Sequence, residues 1–258
     1  MCLIIFSHSN YFYIWDIISE YIAPITPQLH TIFIYNTQSQ YTPPVGFSQY
    51  IEYDSTKCYA SRWLDILPQI DHKYILVMHD VCVLVSCNVS KIHDLFKTLY
   101  TNSIDKCSLN VFNGTDIINS DIPICNLNDT KIVSNTIVPY DVSPSIWNKQ
   151  TFYSLWNTFP TETYAGSELN NTLQNYCKYN LKCYGIQKTD IKLYYCIGRP
   201  YPEFFKILHL TIKGELMAPS EVYADSLPEY LYIVNKYKLE SKININHQYT
   251  FLLKHKMI

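Results

Sequence analysis

The chain has 258 residues, of which 48% are hydrophobic and 16% are charged, and its formal net charge is −2. This length and apolar content suffice for one domain with a sizeable core, with room for a small appendage. Because the chain has no basic excess to neutralise a phosphate backbone, general nucleic-acid binding is disfavoured.

The nine cysteines point to reduced thiols in a cytoplasmic protein. Their number is odd and no pair has the C-x-x-C spacing, so neither a zinc site nor a disulfide framework is favoured. The strongest apolar run, Tyr74 to Val85, is interrupted by His79 and Asp80 and is too short to cross a membrane. We therefore expect a cytoplasmic chain without a transmembrane segment.

The first hundred residues alternate between strand-like and helix-like patterns. Strands are predicted at Cys2–Phe6, His30–Tyr35, Ile51–Tyr53 and Tyr74–Met78, and helices at Tyr11–Ile22, Ser55–Leu67 and Ser90–Tyr100. The run at Tyr74–Met78 is almost continuously apolar, as is typical of the buried centre of a parallel sheet. This alternation predicts an α/β fold with a mostly parallel central sheet and helices on both faces.

The second half of the chain has a less regular pattern. Residues Ser103–Val138 are β-prone and irregular, and Ser145–Asn157 and Glu168–Asn180 have the spacing of helices. Further on, Tyr230–Glu240 has helical character. We predict one main domain over residues 1–217 and a C-terminal helical extension, 218–258, packed on it.

The sharpest local feature is Asp80, which follows His79 at the end of the apolar strand. In open α/β sheets, ligands bind at the carboxyl ends of the strands. A carboxylate there could hold a divalent cation that bridges diphosphate oxygens. It could equally be a buried or capping aspartate, and the local sequence favours neither interpretation.

Four more candidate residues lie at the ends of two predicted strands of the first half and on the predicted helix Ser55–Leu67. Ser7 and His8 end the first strand and could face a nucleotide, although an ordinary helix cap is the simpler interpretation of these residues alone. Asp54 could hold a ribose hydroxyl or start a turn. Arg62 could bind phosphate through its planar fork, or could lie on a solvated helix face.

The second half contributes three candidate residues of its own. Glu168 could act as a general base toward an acceptor hydroxyl, or could be an acidic residue favoured at a helix N-terminus. His209 could complete a metal shell and Lys213 could pair with phosphate, while both could be structural.

Several of these segments together resemble the nucleotide-sugar (GT-A) type of glycosyltransferase found in large DNA viruses and bacteria. The resemblance rests on Tyr50–Asp54, Tyr59–Arg62 and Tyr74–Asp80, on Val142–Lys149 followed by Glu168, and on the stretch from Pro200 to Gly214. It covers roughly residues 1–217, and the order and spacing of these short motifs agree with the family. One departure is that the family's acidic pair is reduced to His79-Asp80-Val81, so that a full Asp-x-Asp is absent.

The resemblance implies a metal-assisted transfer of sugar from a nucleotide-diphosphate donor to a glycan or glycoprotein acceptor. It assigns the nucleotide to Ser7, His8, Asp54 and Arg62, a Mn²⁺ or Mg²⁺ ion to Asp80 with help from His209, and the base of an inverting reaction to Glu168. Trp147 and its neighbours would shape the acceptor pocket. The cytoplasm would be that of a host cell if the protein is viral.

Two other classes of function stay open at this point. The missing second acid suggests a catalytically degenerate relative that binds a nucleotide or glycan. The 24 tyrosines suggest a structural or partner-binding protein with tyrosine-rich interfaces.

Overall fold

The computed structural model describes residues 1–37, 40–111, 122–124, 130–134, 139–161, 163–188, 204–212, 215–217 and 227–243. The strands are β1 (Cys2–Phe6), β2 (His30–Asn36), β3 (Gln49–Tyr53), β4 (Tyr74–His79), β5 (Cys82–Cys87), β6 (Lys106–Val111), β7 (Ile122–Pro123), β8 (Thr130–Ser134), β9 (Ser145–Asn148), β10 (Cys183–Lys188), β11 (Phe205–His209), β12 (Thr211–Ile212) and β13 (Glu215–Leu216). The α-helices are α1 (Trp15–Ile22), α2 (Tyr59–Ile66), α3 (Val89–Thr101), α4 (Lys149–Thr158), α5 (Tyr164–Glu168), α6 (Asn171–Asn180) and α7 (Leu227–Tyr237).

Nine of these strands form one central sheet in the order β3-β2-β1-β4-β9-β6-β10-β8-β7. The run β3-β2-β1-β4 is parallel throughout, and β9 lies antiparallel between β4 and β6. Because β6 and β10 pair in parallel beyond β9, seven of the nine strands point the same way, and β8 and β9 run against them. The predicted α/β class, with a mostly parallel central sheet flanked by helices, is confirmed.

The pleat of β1 divides the interior into two hydrophobic clusters, one on each face of the sheet. Leu3 and Ile5 pack in the cluster that contains residues of α1 and α3. Cys2, Ile4 and Phe6 pack in the cluster that contains residues of α2, α4 and α6. Since successive side chains of a strand point to opposite faces, an entirely apolar strand must be covered by helices on both sides.

The structure corrects two predicted helices of the second half. Ser145–Asn148 is strand β9 rather than the start of a helix, and α4 begins at Lys149 with Asn148 as its cap. Ile146 and Trp147 suit a strand because their branched and aromatic side chains pack well on a pleated surface. The predicted helix Glu168–Asn180 is two helices, because α5 ends at Glu168 and Asn170 caps α6.

Helix α7 lies against α1. Tyr21 donates a hydrogen bond to Glu229, and Lys236 Nζ lies 2.6 Å from Glu20 Oε1. The division of the chain at residue 217 stays a prediction. Within the ranges described above, no helix is both long enough and apolar enough to cross a membrane.

Helices α2 and α4 are joined by aromatic packing, which gives a test of the second cluster. Trp63 is fully buried and its ring lies 5.1 Å from that of Phe152. We expect Trp63→Ala to lower the free energy of unfolding by about 3–5 kcal/mol, because it leaves a large cavity. Urea denaturation measures the loss.

The matched control is Tyr179→Ala, since Tyr179 is an aromatic residue that is 73% exposed on α6. Its effect should stay within about 0.5 kcal/mol. Equal effects of the two substitutions would contradict the packing assigned to Trp63.

Candidate functional site

The carboxyl ends of β1 and β4 bring Ser7 and Asp80 together at one edge of the sheet. Phe6 is in register with His79, and the backbone N–H of Asp80 donates to the carbonyl of Phe6 at 3.1 Å. The backbone N–H of Ser7 donates in turn to the carbonyl of Ile34 on β2, at 2.8 Å. The parallel pairing therefore fixes the backbone at the point where the sequence predicts a ligand site.

The carboxylate of Asp80 is held by a group that we call the strand-end clamp, made of Ser7, His8 and Asp80. Ser7 Oγ donates to Asp80 Oδ2 at 2.6 Å, and the backbone N–H of His8 donates to the same oxygen at 3.0 Å. Trp15 Nε1 donates to Ser7 Oγ at 2.7 Å. Asp80 is 4% exposed, and this burial raises its pKa to about 7, although the hydrogen bonds oppose the shift. The clamp closes the end of β1 onto the end of β4.

Arg62 lies beside the strand-end clamp. Its Nε donates to the carbonyl of Lys57 at 2.9 Å, and its Nη2 donates to the carbonyl of Ser55 at 2.7 Å. Its guanidinium carbon lies 5.2 Å from the ring centroid of Tyr53, whose hydroxyl donates to the carbonyl of Ser7 at 2.9 Å. The guanidinium of Arg62 is therefore partly buried and oriented by local contacts, and its role as a phosphate-binding group stays a prediction.

His8 and Asp54 make local hydrogen bonds of the kind that the sequence allows. His8 Nδ1 accepts from the backbone N–H of Asn10 at 3.1 Å, and so caps the short 3₁₀ helix that follows. Burial lowers the pKa of His8, and the charge of Arg62 lowers it further. Asp54 Oδ1 accepts from the N–H and the hydroxyl of Thr56, which are the contacts of a turn. The nucleotide-binding roles of both residues stay predictions.

Glu168 occupies the last position of α5, so its interpretation as an acidic residue at a helix N-terminus is wrong. Its Oε1 accepts from the backbone N–H of Val142 at 2.9 Å. Burial raises the pKa of Glu168, and the charge of Asp141 adds to the shift while that of Lys106 opposes it. The carboxylate is thus half-buried and fixed beside the start of β9, and its role as a base stays a prediction.

A buried ion pair beneath Glu168 was missed by the sequence analysis. Lys106 is fully buried, and its Nζ lies 3.0 Å from Asp141 Oδ1 and 5.4 Å from the ring centroid of Trp147. Asp141 also accepts a hydrogen bond from Ser108 Oγ at 3.3 Å. One available signal was the position of Asp141, three residues before the Pro144-Ser145-Ile146-Trp147 segment.

Tyr59 lies between the clamp and the Glu168 region. Its hydroxyl is 3.3 Å from His79 Nε2, and burial raises its pKa, with the charge of Glu168 adding to the shift. Burial lowers the pKa of His79 to about 3, so the imidazole is neutral at physiological pH. Trp147 itself is buried in the second hydrophobic cluster, so its predicted contact with an acceptor would need a movement of its surroundings.

The described side chains do not form a divalent-cation site. His209 is exposed at the end of β11, in register with Cys82, and no three His, Cys, Asp or Glu residues in the described ranges are grouped to hold a metal ion. Asp80 is buried and already accepts protein donors. The assignment of Mn²⁺ or Mg²⁺ to Asp80 and His209 stays a prediction that these contacts do not favour. Lys213 lies outside the described residues.

The raised pKa of Asp80 predicts a distinct effect of pH on stability. The folded state holds this proton more tightly than the unfolded chain, so Asp80 stabilises the fold below about pH 4, and this contribution is lost as the pH rises to about 7. In Asp80→Asn the contribution is absent. We expect the free energy of unfolding of this variant, relative to the original protein, to increase between pH 4 and pH 8 in urea titrations.

Asp16→Asn is the control, because Asp16 is an exposed carboxylate on α1. A difference between Asp80→Asn and the original protein that does not change with pH would show that Asp80 is ionised throughout this range.

The sequence matches no protein-family model and no curated protein. Among solved structures, the chain is similar to the S. aureus TarS 1–349 fragment in complex with UDP, with a TM-score of 0.44 and 13% identity over 76% of this chain and 60% of that one. The same fragment in complex with UDP-GlcNAc has a TM-score of 0.44 and 13% identity over 96% of this chain and 69% of that one. A197 from STIV has a TM-score of 0.39 and 10% identity over 83% of this chain and 88% of that one. The chain spans about 60% of the length of the TarS fragment bound to UDP. Similarity at this level establishes neither a family nor an activity for this chain.

Proposed function

We propose that the chain is a glycosyltransferase, which moves a sugar from a nucleotide-diphosphate donor to a glycan or protein acceptor. The observation that carries this proposal is that two polar clusters lie at the same edge of the sheet, where β1 and β4 end and β9 begins. The strand-end clamp and Arg62 lie at the ends of β1 and β4, and Glu168 lies beside the start of the antiparallel strand β9. An inverting transfer between two substrates uses a cation near the leaving phosphate of the donor and a general base near the acceptor hydroxyl, and the two clusters offer one group of each kind.

The donor side is built from the backbone and side chains that follow β1 and β3. His8 and Asp54 would contact the nucleoside, Ser7 would support this edge from its buried position, and Arg62 would contact phosphate oxygens. Their location supports this, since ligands of open α/β sheets bind outside the carboxyl ends of the strands. The rigid contacts of Arg62 with two backbone carbonyls reduce the entropy lost when it binds an anion.

The acceptor side would use Glu168 as the general base. Glu168 would take the proton of an acceptor hydroxyl while that oxygen bonds to the anomeric carbon and the sugar–phosphate bond breaks, which inverts the configuration. The raised pKa of Glu168 supports this role, because a base is most effective when its pKa lies closer to the working pH. Trp147 would support the acceptor pocket from below.

A second candidate function is binding of a nucleotide or glycan without transfer. It is favoured by the contacts of Asp80, which serve strand closure, and by the absence of a second acid directly after it. The two candidates share the donor site and differ in what Glu168 does.

Donor binding is tested by thermal shift and calorimetry with uridine, guanosine and cytidine diphosphates. At a ligand concentration of 100 times Kd, we expect a stabilisation of about 2.7 kcal/mol for the correct nucleotide. The nucleoside alone should bind more weakly, because it lacks the phosphates that Arg62 would contact. No stabilisation by any nucleotide, with or without added metal, would overturn the proposed function and leave a structural or partner-binding role.

Glu168→Gln separates transfer from binding. The substitution keeps the shape of the side chain and removes its basicity, so we expect transfer to fall by a factor of roughly 10²–10⁴ while nucleotide affinity is retained. The measurement is release of nucleotide and formation of glycosylated acceptor.

Glu240→Gln, which removes an exposed carboxylate near the end of the described chain, serves as the control and should transfer at the original rate. Normal transfer by Glu168→Gln would remove Glu168 from the reaction. Nucleotide binding without transfer by the original protein, over a broad acceptor panel, would favour the second candidate.

A further inference from the structure

The proposed donor site contains one oriented cation, Arg62, beside a buried carboxylate, Asp80. A nucleotide-diphosphate leaving group carries several negative charges, and a protein must offset them with a metal ion or with its own cations. We infer that the guanidinium of Arg62, rather than a divalent cation on Asp80, supplies this positive charge, so that donor binding does not require a metal. This inference rests on the proposed function and concerns how the same site recognises phosphate.

The first step of the argument is that the carboxylate of Asp80 is committed to the protein. Ser7 Oγ and the backbone N–H of His8 both donate to Oδ2, and only 4% of the residue is exposed. A cation on this oxygen would have to displace the two donors, and Ser7 Oγ also accepts from Trp15 Nε1. Magnesium and manganese prefer several oxygen ligands around them. Within the described ranges, Asp80 belongs to no group of three or more His, Cys, Asp or Glu residues that could hold a metal ion.

The second step is that Arg62 is already oriented as an anion-binding group. The two hydrogen bonds described for it use Nε and Nη2, and a guanidinium has five N–H donors in a fixed plane. Two backbone carbonyls and the ring of Tyr53 hold that plane, while its charge still acts on His8. The remaining donors match the spacing of two phosphate oxygens, which a guanidinium can bind in a bidentate manner.

The third step is that one chain of contacts joins Arg62 to the clamp. The Tyr53 ring stacks on Phe6, with centroids 4.9 Å apart, and its hydroxyl donates to the carbonyl of Ser7. The guanidinium is therefore placed against the same strand end that Asp80 closes. In this arrangement Asp80 is a positioning residue, since it fixes the strand end against which the Arg62 guanidinium lies and does not itself contact the phosphate.

The experiment measures affinities for uridine, guanosine and cytidine diphosphates by calorimetry, in EDTA and in Mn²⁺. We expect the preferred diphosphate to bind in EDTA with an affinity within about threefold of that in Mn²⁺. Arg62→Gln should weaken diphosphate binding by about tenfold or more, because it removes charge-assisted hydrogen bonds. The diphosphate affinity of Arg62→Lys should lie between those of the original protein and of Arg62→Gln, since lysine keeps the charge and loses the planar fork.

Two controls distinguish phosphate contact from damage to the fold. Affinity for the parent nucleoside should be equal in the original protein and in Arg62→Gln, because the nucleoside has no phosphate for Arg62 to contact. Lys73→Gln removes an exposed cation before the first residue of β4, at the opposite end of the sheet, and should leave diphosphate affinity unchanged.

The outcomes separate this inference from the proposed function. Diphosphate binding that appears only with Mn²⁺, or that is unchanged in Arg62→Gln, would overturn the inference and leave the donor site standing. A lower nucleoside affinity in Arg62→Gln would also overturn it, because Arg62 would then act through the fold. Absence of diphosphate binding under all conditions would overturn the proposed function itself.

Discussion

The buried hydrogen bond between Ser7 Oγ and Asp80 Oδ2 is the constraint on which the edge of the sheet depends. A carboxylate that is removed from water must find donors inside the protein, and here it finds them at the end of the neighbouring strand. Satisfying Asp80 fixes the backbone of Ser7, whose carbonyl then holds the hydroxyl of Tyr53. Arg62 rests on the ring of Tyr53. The hydrogen bonds that compensate the burial of Asp80, at the end of β4, thus help to position the Arg62 guanidinium on the ring of Tyr53, at the end of β3, three strands away in the sheet.

The region around Glu168 is organised by the same principle, with an ion pair in place of a single carboxylate. Lys106 is buried on β6, and its ammonium group donates hydrogen bonds to Asp141 and to the carbonyl of Pro139. Burying two charges carries a large desolvation penalty, so such a pair contributes little net stability. What it provides is geometry, because the segment held by Asp141 presents the backbone N–H of Val142 to Glu168. Both polar clusters therefore depend on buried charge that is compensated locally.

The sequence predicts the first half of the fold well and the second half less well, for a physical reason. β1, β2 and β4 are short, mainly apolar runs buried on both faces, and such runs are typical of the central strands of a parallel sheet. Ser145–Asn148 is too short to show a period, and its identity as a strand comes from pairing with β4 and β6, which are distant in sequence. Helical spacing further along the chain could not reveal the break after Glu168, because that break depends on capping by Asn170.

The same limit applies to the candidate site. A residue type at a strand end can be read from the sequence, so Ser7 and Asp80 are found at the expected edge of the sheet. Whether a carboxylate faces solvent or its neighbours depends on partners that are dozens of residues away, such as Ser7 for Asp80. The position of Asp141 just before the Pro144–Trp147 segment is a signal in the sequence, but its pairing with Lys106, 35 residues earlier in the chain, is set by the tertiary fold.

The antiparallel insertion of β9 also has a consequence for the way the protein is made. β4 is fully buried in the sheet, yet one of its two edges is covered by residues that lie far along the chain, as in the pairing of Tyr74 with Asn148. While the ribosome extends the chain from its N-terminus, β1 to β4 can assemble early, but the outer edge of β4 has no partner until β9 emerges. An apolar strand with free N–H and C=O groups readily pairs with other chains. During the interval between the synthesis of β4 and that of β9, this edge is therefore open to pairing with other chains, which favours aggregation.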